Sequence, residues 1–200
     1  MSSEHETKKT IRDAARKLFA MHGYNGVSMR EIAQEIGKQP GGIYNHFPNK
    51  QSILLDMMRQ NLSRASDAVI APIDLDLTAA EQLEDFVRRH LQHNVENPDD
   101  IFIAYMELRS LEPDNAKIIK AERDAYESAL RKILKSGISS GAFKIADPDI
   151  HARSILSMLS GVTIWFRHGG SKSAEDVAEA YVQAVLQSVG ANYPLKQTGR

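Results

Sequence analysis

Tyr44, Asn45 and His46 stand side by side, with Gln39 before them and Lys50 after, and none belongs to a hydrolytic or metal-binding constellation. The chain has no glycine-rich phosphate loop following a strand and no HExxH. It has no cysteine, which removes disulfides, thiolate metal sites and cysteine nucleophiles. A phenol, a carboxamide and an imidazole in a row, followed by an ammonium, suit recognition of another polar surface better than catalysis.

The elements that carry these residues are marked by cap chemistry. Ser28 and Glu31 have capping-box spacing, and Val27 and Ile32 are spaced for a hydrophobic staple. Ile32, Ala33 and Ile36 give one apolar stripe, and Gly37 is a natural stop. Lys38 and Gln39 form a turn, after which Pro40 suits the first turn of a new helix. Ile43 and Phe47 form that helix's inner face. Gly41 and Asn45 lie opposite, flanked by Gly42, Tyr44 and His46, so the outer face is small and polar. Pro48 ends the helix, and Asn49 caps the next, placing Lys50 in its first turn. A cation there opposes the helix dipole, a penalty that a bound phosphate would reverse. Helix, tight turn and a second helix with a polar outer face is the geometry that enters a DNA major groove, although a plain three-helix surface module shares the pattern.

The ordered set AARKLFAMHGY, REIAQEIG and IYNHFPNK, followed by Ile53, Leu54 and Leu55, resembles the N-terminal domain of the tetracycline-repressor (TetR) family of one-component regulators. The likeness spans roughly residues 8 to 58. It implies that Arg30, Gln39, Tyr44, Asn45, His46 and Lys50 fall at positions that meet DNA. Ser28, Lys38, Gly41 and Gly42 complete the candidate DNA-binding set. Two positions depart from the pattern: Gly42 stands where Thr or Ser is common, and His46 where Tyr is common. The first departure removes a possible phosphate or base contact.

Charge is divided to match. Residues 1–50 hold eight Lys or Arg against five Asp or Glu, or +3; residues 51–200 hold seventeen against twenty-one, or −4, which sums to the net −1. The opening MSSEHETKKT has no apolar signal core, and the apolar-rich run 154–166 is shorter than the ~20 residues a membrane helix needs. These features point to a soluble cytoplasmic protein with no membrane association.

The rest reads as an all-α chain. Residues 1–7 are expected as a flexible arm, and Ile11, Ala14, Ala15, Leu18 and Phe19 as the core stripe of a first helix. The expected organisation is a helix-turn-helix domain over 7–50, a connecting helix over 51–71, a ligand-binding and dimerisation domain over 72–190, and a tail over 191–200. Thr78 and Glu81 form a second capping box. The helix behind it carries Leu83, Phe86, Val87, His90 and Leu91 on one face. His90 and His93 are three apart, but no carboxylate completes a metal set, so no metal or cofactor is expected. The segment IFIAYMELRSLEP is expected as a largely buried helix, with Ile101, Phe102, Tyr105, Leu108 and Arg109 on a shared face. A buried Arg109 needs an acidic partner or an anionic ligand. A long helix is expected from Asp114 to about Ser139, broken at Gly137 and Gly141. Helices at 148–168 and 174–189 complete the chain.

Phe86, Phe102, Tyr105, Met106, Tyr126, Trp165 and Phe166, with Arg109, are the candidates for a small-molecule site; each is equally at home in a plain core. The family resemblance implies that the last two helices pair with those of a second copy, giving a homodimer on a palindromic double-stranded DNA operator. The stretch WFRHGGSKSAEDVAEAYVQAVLQSVG is similar to the C-terminal end of TetR-like regulators of fatty-acid and steroid catabolism. That likeness implies an acyl-CoA or a related acid as inducer, met by Arg109, Arg123 or Arg153; a neutral lipophilic metabolite is the rival. The expected function is a ligand-released repressor. The alternatives are a helical ligand-binding or protein-interaction module that does not read DNA, and an unrecognised enzyme.

Overall fold

A computed structural model describes residues 2–191 and is all-helical over them. The tail expected over 191–200 lies outside the described residues, save Ala191. The elements are α1 (Ser2–His22), α2 (Met29–Glu35), α3 (Pro40–Tyr44), α4 (Lys50–Ala65, continued as a π turn over Ser66–Ile70), α5 (Ala79–Glu96), α6 (Pro98–Met106), α7 (Pro113–Ser139), α8 (Pro148–Ser160), α9 (Val162–Trp165) and α10 (Ala174–Ser188). A 3-10 turn, Leu108–Ser110, follows α6.

The chain forms two compact units. The first comprises residues up to 62 together with 99–122, and the second comprises 63–98 and 123 onward. Packing thus divides the chain differently from sequence order, since α6 and the first turns of α7 join the unit that holds the helix-turn-helix. α4 passes from the first unit to the second after Leu62, and α7 after Glu122.

The core of the first unit is built from the stripes the sequence marks. Ile11, Ala15 and Phe19 of α1, Ile32 and Ala33 of α2, and Ile43 of α3 are fully buried, as are Ile53 and Leu54 of α4. Ile103, Leu111 and Ile119 join them from the second segment of that unit. The residues expected as a flexible arm continue α1 instead, from Ser2. A Glu4–Lys8 ion pair one turn apart and a Thr10 hydroxyl bonded to the Glu6 carbonyl support that helical start.

In the second unit α5 lies at the centre, packed against α8, α9 and α10. Its Leu83, Phe86 and Val87 are fully buried with Leu130 and Leu134 of α7 and Val182, Val185 and Leu186 of α10. Arg88 ties α5 to α10 through Glu175 and Glu179. Three departures from the sequence reading arise, two in this unit and one in the first. α7 runs through Gly137 because the Phe143 ring fills the space beside it, where a Cβ would sit only 2.0 Å from Phe143 Cδ2. The helix expected over 148–168 divides after Ser160 and ends at Trp165, since Phe166 turns extended. α6 is not largely buried: Ile101 and Ile103 face inward, whereas Phe102, Tyr105 and Met106 are exposed.

Candidate nucleic-acid interface and effector residues

The α2–α3 pair is held by the caps expected of it. The Ser28 hydroxyl accepts from the Glu31 N–H, and the Glu31 carboxylate accepts from the Ser28 N–H. The Ser28 hydroxyl, which also donates to that carboxylate, and the Ser28 N–H hold the Glu31 carboxyl below its ordinary value. Gly37 takes a left-handed φ of 64°, which ends α2 cheaply. Pro40 opens α3, and the Gln39 side chain makes no cap bond.

Ile43 and Phe47 are buried beneath α3, and Tyr44 and Asn45 between them are turned outward. Arg30, Lys38, Gln39, Gly41, Tyr44 and Asn45 are exposed, and Ser28 is exposed but occupied by its cap. Gly42 and His46 are half-buried. His46 keeps its Nδ1 out of solvent with no hydrogen-bond partner. A Cβ built at Gly41 meets nothing within 4 Å, and none at Gly42 meets anything closer than the Lys38 Cδ at 3.9 Å. Neither glycine has a positive φ, so the fold itself demands neither. What they provide is a low outer surface on which another body can approach the backbone of α3.

Lys50 is placed differently from a free phosphate ligand. Its Nζ donates to the Tyr24 carbonyl at 2.7 Å and the Val27 carbonyl at 2.5 Å, and lies 4.1 Å from the Tyr24 ring centroid. Burial pushes its ammonium below the ordinary lysine value, against the raising pull of Glu107 and Glu31. The basic residues of α1 are also largely engaged within the protein. Arg12 is buried against Asp56, Arg16 meets Asp13 and Asp100, and Lys17 meets Glu35.

A buried polar network in the same unit escaped the sequence reading. The Glu107 carboxylate accepts from the Tyr24 N–H and the Ser110 hydroxyl. The Gln51 amide donates to the Tyr24 hydroxyl and the Ser110 carbonyl, and its oxygen accepts from the Glu112 N–H and the Asn115 amide. Together they bind the loop after α1 and the start of α4 to residues 107–115. A glutamate inside an otherwise apolar run was the available signal.

The eight effector candidates are divided between the units. Phe102, Tyr105, Met106 and Arg109 belong to the first, and Phe86, Tyr126, Trp165 and Phe166 to the second. Arg109 is exposed in the 3-10 turn, so it is not the buried guanidinium expected; the buried ionisable group of that stretch is Glu107. Phe86 and Tyr126 are buried and meet at 6.0 Å between centroids. Trp165 is half-exposed, stacked on Tyr181 and edge-on to Phe166. No cluster of three metal-ligating side chains occurs among the described residues.

Residues 11–57 match the family pattern of bacterial regulatory proteins of the tetR family, and residues 76–189 match the tetracyclin repressor-like C-terminal domain. The chain belongs to the TetR family. Members of the TetR family are transcriptional regulators and not enzymes, and α2–α3 is this chain's DNA-binding helix-turn-helix. Among TetR relatives, the transcriptional repressor KstR2 of Rhodococcus jostii is 25% identical over 198 residues, covering 94% of this chain and 93% of that protein. The fatty acid metabolism regulator protein of Bacillus subtilis is 28% identical over 134 residues, 67% of this chain and 69% of that one. The repressor AcnR of Corynebacterium diphtheriae is 28% identical over 89 residues, which span 42% of this chain and 47% of AcnR. A tetR-family protein from Rhodococcus RHA1 superposes with a TM-score of 0.88 at 29% identity, covering 93% of this chain and 98% of that one. AibR, solved with isovaleryl coenzyme A and operator DNA, shares the fold at TM-score 0.82 and 24% identity, covering 88% of this chain and 96% of that one. No helix among the described residues is long and apolar enough to cross a membrane.

Proposed function

We propose that this protein is a homodimeric repressor that binds a palindromic operator and is released by a small molecule. The observation that carries the reading is the outer surface of α3, where Gly41, Tyr44 and Asn45 are exposed above buried Ile43 and Phe47. Arg30 of α2 and Lys38 and Gln39 of the turn supply further exposed polar groups beside it. A helix N-terminus so furnished reads base edges and phosphates of one half-site. Two copies set about 34–36 Å apart would meet successive major-groove faces. Such a protein works in the cytoplasm, where its operator is.

Dimerisation is supported by an outward strip on the last helices. Ile150 of α8 and Ile164 and Trp165 of α9 are large apolar side chains in water, and Ala180 and Ala184 of α10 are small and exposed. Small residues let a second helix approach closely, and an isologous pairing would bury these apolar groups. Effector release is supported by α4 and α7, which each run from one unit into the other. An effector that favours one arrangement of the second unit then shifts the first by its differential affinity, typically ~1–3 kcal/mol. The acyl-CoA class is supported by the names of two relatives, one a fatty acid regulator and one solved with isovaleryl coenzyme A.

The test is selection of bound duplexes from a random DNA pool, with wild type and an Arg30→Ala/Tyr44→Ala variant in parallel. Both substitutions lie on exposed side chains, so they spare the core. A palindromic sequence enriched by wild type alone is expected, and octanoyl-CoA should then release that duplex. Equal enrichment by the two proteins, or none at low salt, would overturn the DNA reading.

A further inference from the structure

Phe86 and His90 lie one turn apart on α5, and Tyr126 of α7 closes against both. The Phe86 ring stacks on the imidazole at 5.8 Å and 25°. All three are buried: Phe86 is 0% exposed, and His90 and Tyr126 are 7% exposed each. His90 Nδ1 lies 2.8 Å from the Tyr126 hydroxyl. The other ring nitrogen, Nε2, is buried with no hydrogen-bond partner.

The proton count leaves a group unmet in either tautomer. If the phenol donates to Nδ1, Nε2 carries a hydrogen and is a buried donor without an acceptor. If Nδ1 donates to the phenol, Nε2 is a bare acceptor and the phenol proton is the loose end. Neither group sheds its proton problem by ionising. Burial, with neighbouring His93, pushes His90 down to about 3, and burial pushes Tyr126 up. A buried polar atom left unpaired is destabilising, and such exceptions in a well-packed core call for a cause. A core position needing only bulk is better served by Phe or Leu.

We propose that His90 Nε2 is the hydrogen-bonding position for an uncharged polar group, a carbonyl or a hydroxyl, of a largely apolar effector bound within the second unit. This rests on the reading of the protein as effector-responsive and specifies the chemistry that the effector presents. The surroundings select for it. Leu83, Phe86, Val87 and Leu130 are fully buried members of the same cluster and favour hydrocarbon. A carboxylate or ammonium would pay heavily for losing water there. A metal is disfavoured because no third ligand joins His90 and His93 among the described residues. The Tyr126 hydroxyl holds the ring through Nδ1, so it acts as a positioning residue.

The experiment uses the full chain labelled with ¹⁵N at the histidine rings, and three probes of equal chain length: 2-hexanone, 1-hexanol and n-hexane. The ketone or the alcohol is expected to move the His90 Nε2 resonance, and hexane to leave it in place. The His90→Phe variant, which keeps an aromatic ring beside Phe86, should bind the responsive probe roughly tenfold more weakly while hexane binding is unchanged. Tyr126→Phe keeps the packing and should weaken the same probe and change the tautomer pattern; it serves if His90→Phe fails to fold. Resonances unmoved by every probe, with Nε2 exchanging magnetisation with water, would assign the position to a buried water and overturn the proposal. Equal binding of all three probes to both proteins would overturn it too. Operator release by octanoyl-CoA, measured separately, keeps the two readings apart. Release of wild type and His90→Phe alike, with Nε2 unmoved by the probes, would leave the regulator standing and remove His90 from it. Failure to release wild type alongside a probe contact at Nε2 would do the reverse.

Discussion

The Glu107 carboxylate accepts a hydrogen bond from the Tyr24 backbone N–H at 3.0 Å, across 83 residues of chain. Tyr24 sits in the turn that leads from α1 into the helix-turn-helix, and Glu107 follows α6. Glu107→Ala leaves a buried N–H without an acceptor and frees the Ser110 hydroxyl. A loss of ~1–3 kcal/mol in unfolding free energy is expected, with a smaller loss for Glu107→Gln, which keeps an acceptor. Denaturant titration of the two variants checks both the size and the order.

Lys50 provides a second tie to the same turn. Its Nζ holds the Tyr24 and Val27 carbonyls, so Lys50→Met should destabilise the protein by ~1–2 kcal/mol before any DNA is present. Lys38→Ala, at an exposed side chain, should leave stability unchanged and reduce the salt slope of operator binding by about one. Thermal unfolding and binding at several salt concentrations separate the two roles. A Lys50→Met protein of full stability with the slope reduced by one would make Lys50 a phosphate ligand instead.

Gly137 and Phe143 give a prediction whose sign depends on the partner. In the wild-type background Gly137→Ala drives a methyl into a buried ring, and a loss of ~1–3 kcal/mol or more is expected despite alanine's better helix propensity. In a Phe143→Ala background the obstruction is gone, and the same substitution should stabilise by up to ~1 kcal/mol. A double-mutant cycle by urea unfolding measures the reversal.

His90 makes stability depend on mild acid. In the folded state it stays neutral down to about 3, whereas in the unfolded chain it charges below about 6.5. The unfolded state therefore binds more protons in that window, and folding stability must fall as pH drops through it. The slope is ~1.4 kcal/mol per pH unit. His90→Phe should flatten the curve between pH 6 and 4. At lower pH the three capping carboxylates act in the same direction. Glu31, Glu81 and Asp176 are held below their ordinary values by the Ser28, Thr78 and Ser173 hydroxyls. Their contribution is present above the ordinary carboxylate range and is lost as pH falls through the depressed values. Side-chain NMR titration of the three groups reads this directly.

The helix-turn-helix was legible from Ser28 to Lys50 because every signal in it is local. A capping box spans four residues, Gly37 ends its own helix, and Pro40 opens the next, so adjacent side chains determine these boundaries. The stripes of α1 and α5 were legible for the same reason, since their apolar residues recur at helical spacing. α6 offered no such contrast. Ile101, Phe102, Ile103, Tyr105 and Met106 are all apolar or aromatic, so periodicity could not say that Ile103 faces in and Phe102 out. Only the surrounding packing decided that. The same holds for Glu107 with Tyr24, Lys50 with the turn after α1, Gly137 beside Phe143, and the orphaned nitrogen of His90. Each depends on which atoms the folded chain brings within 4 Å, and residues distant in sequence carry no local mark of that encounter.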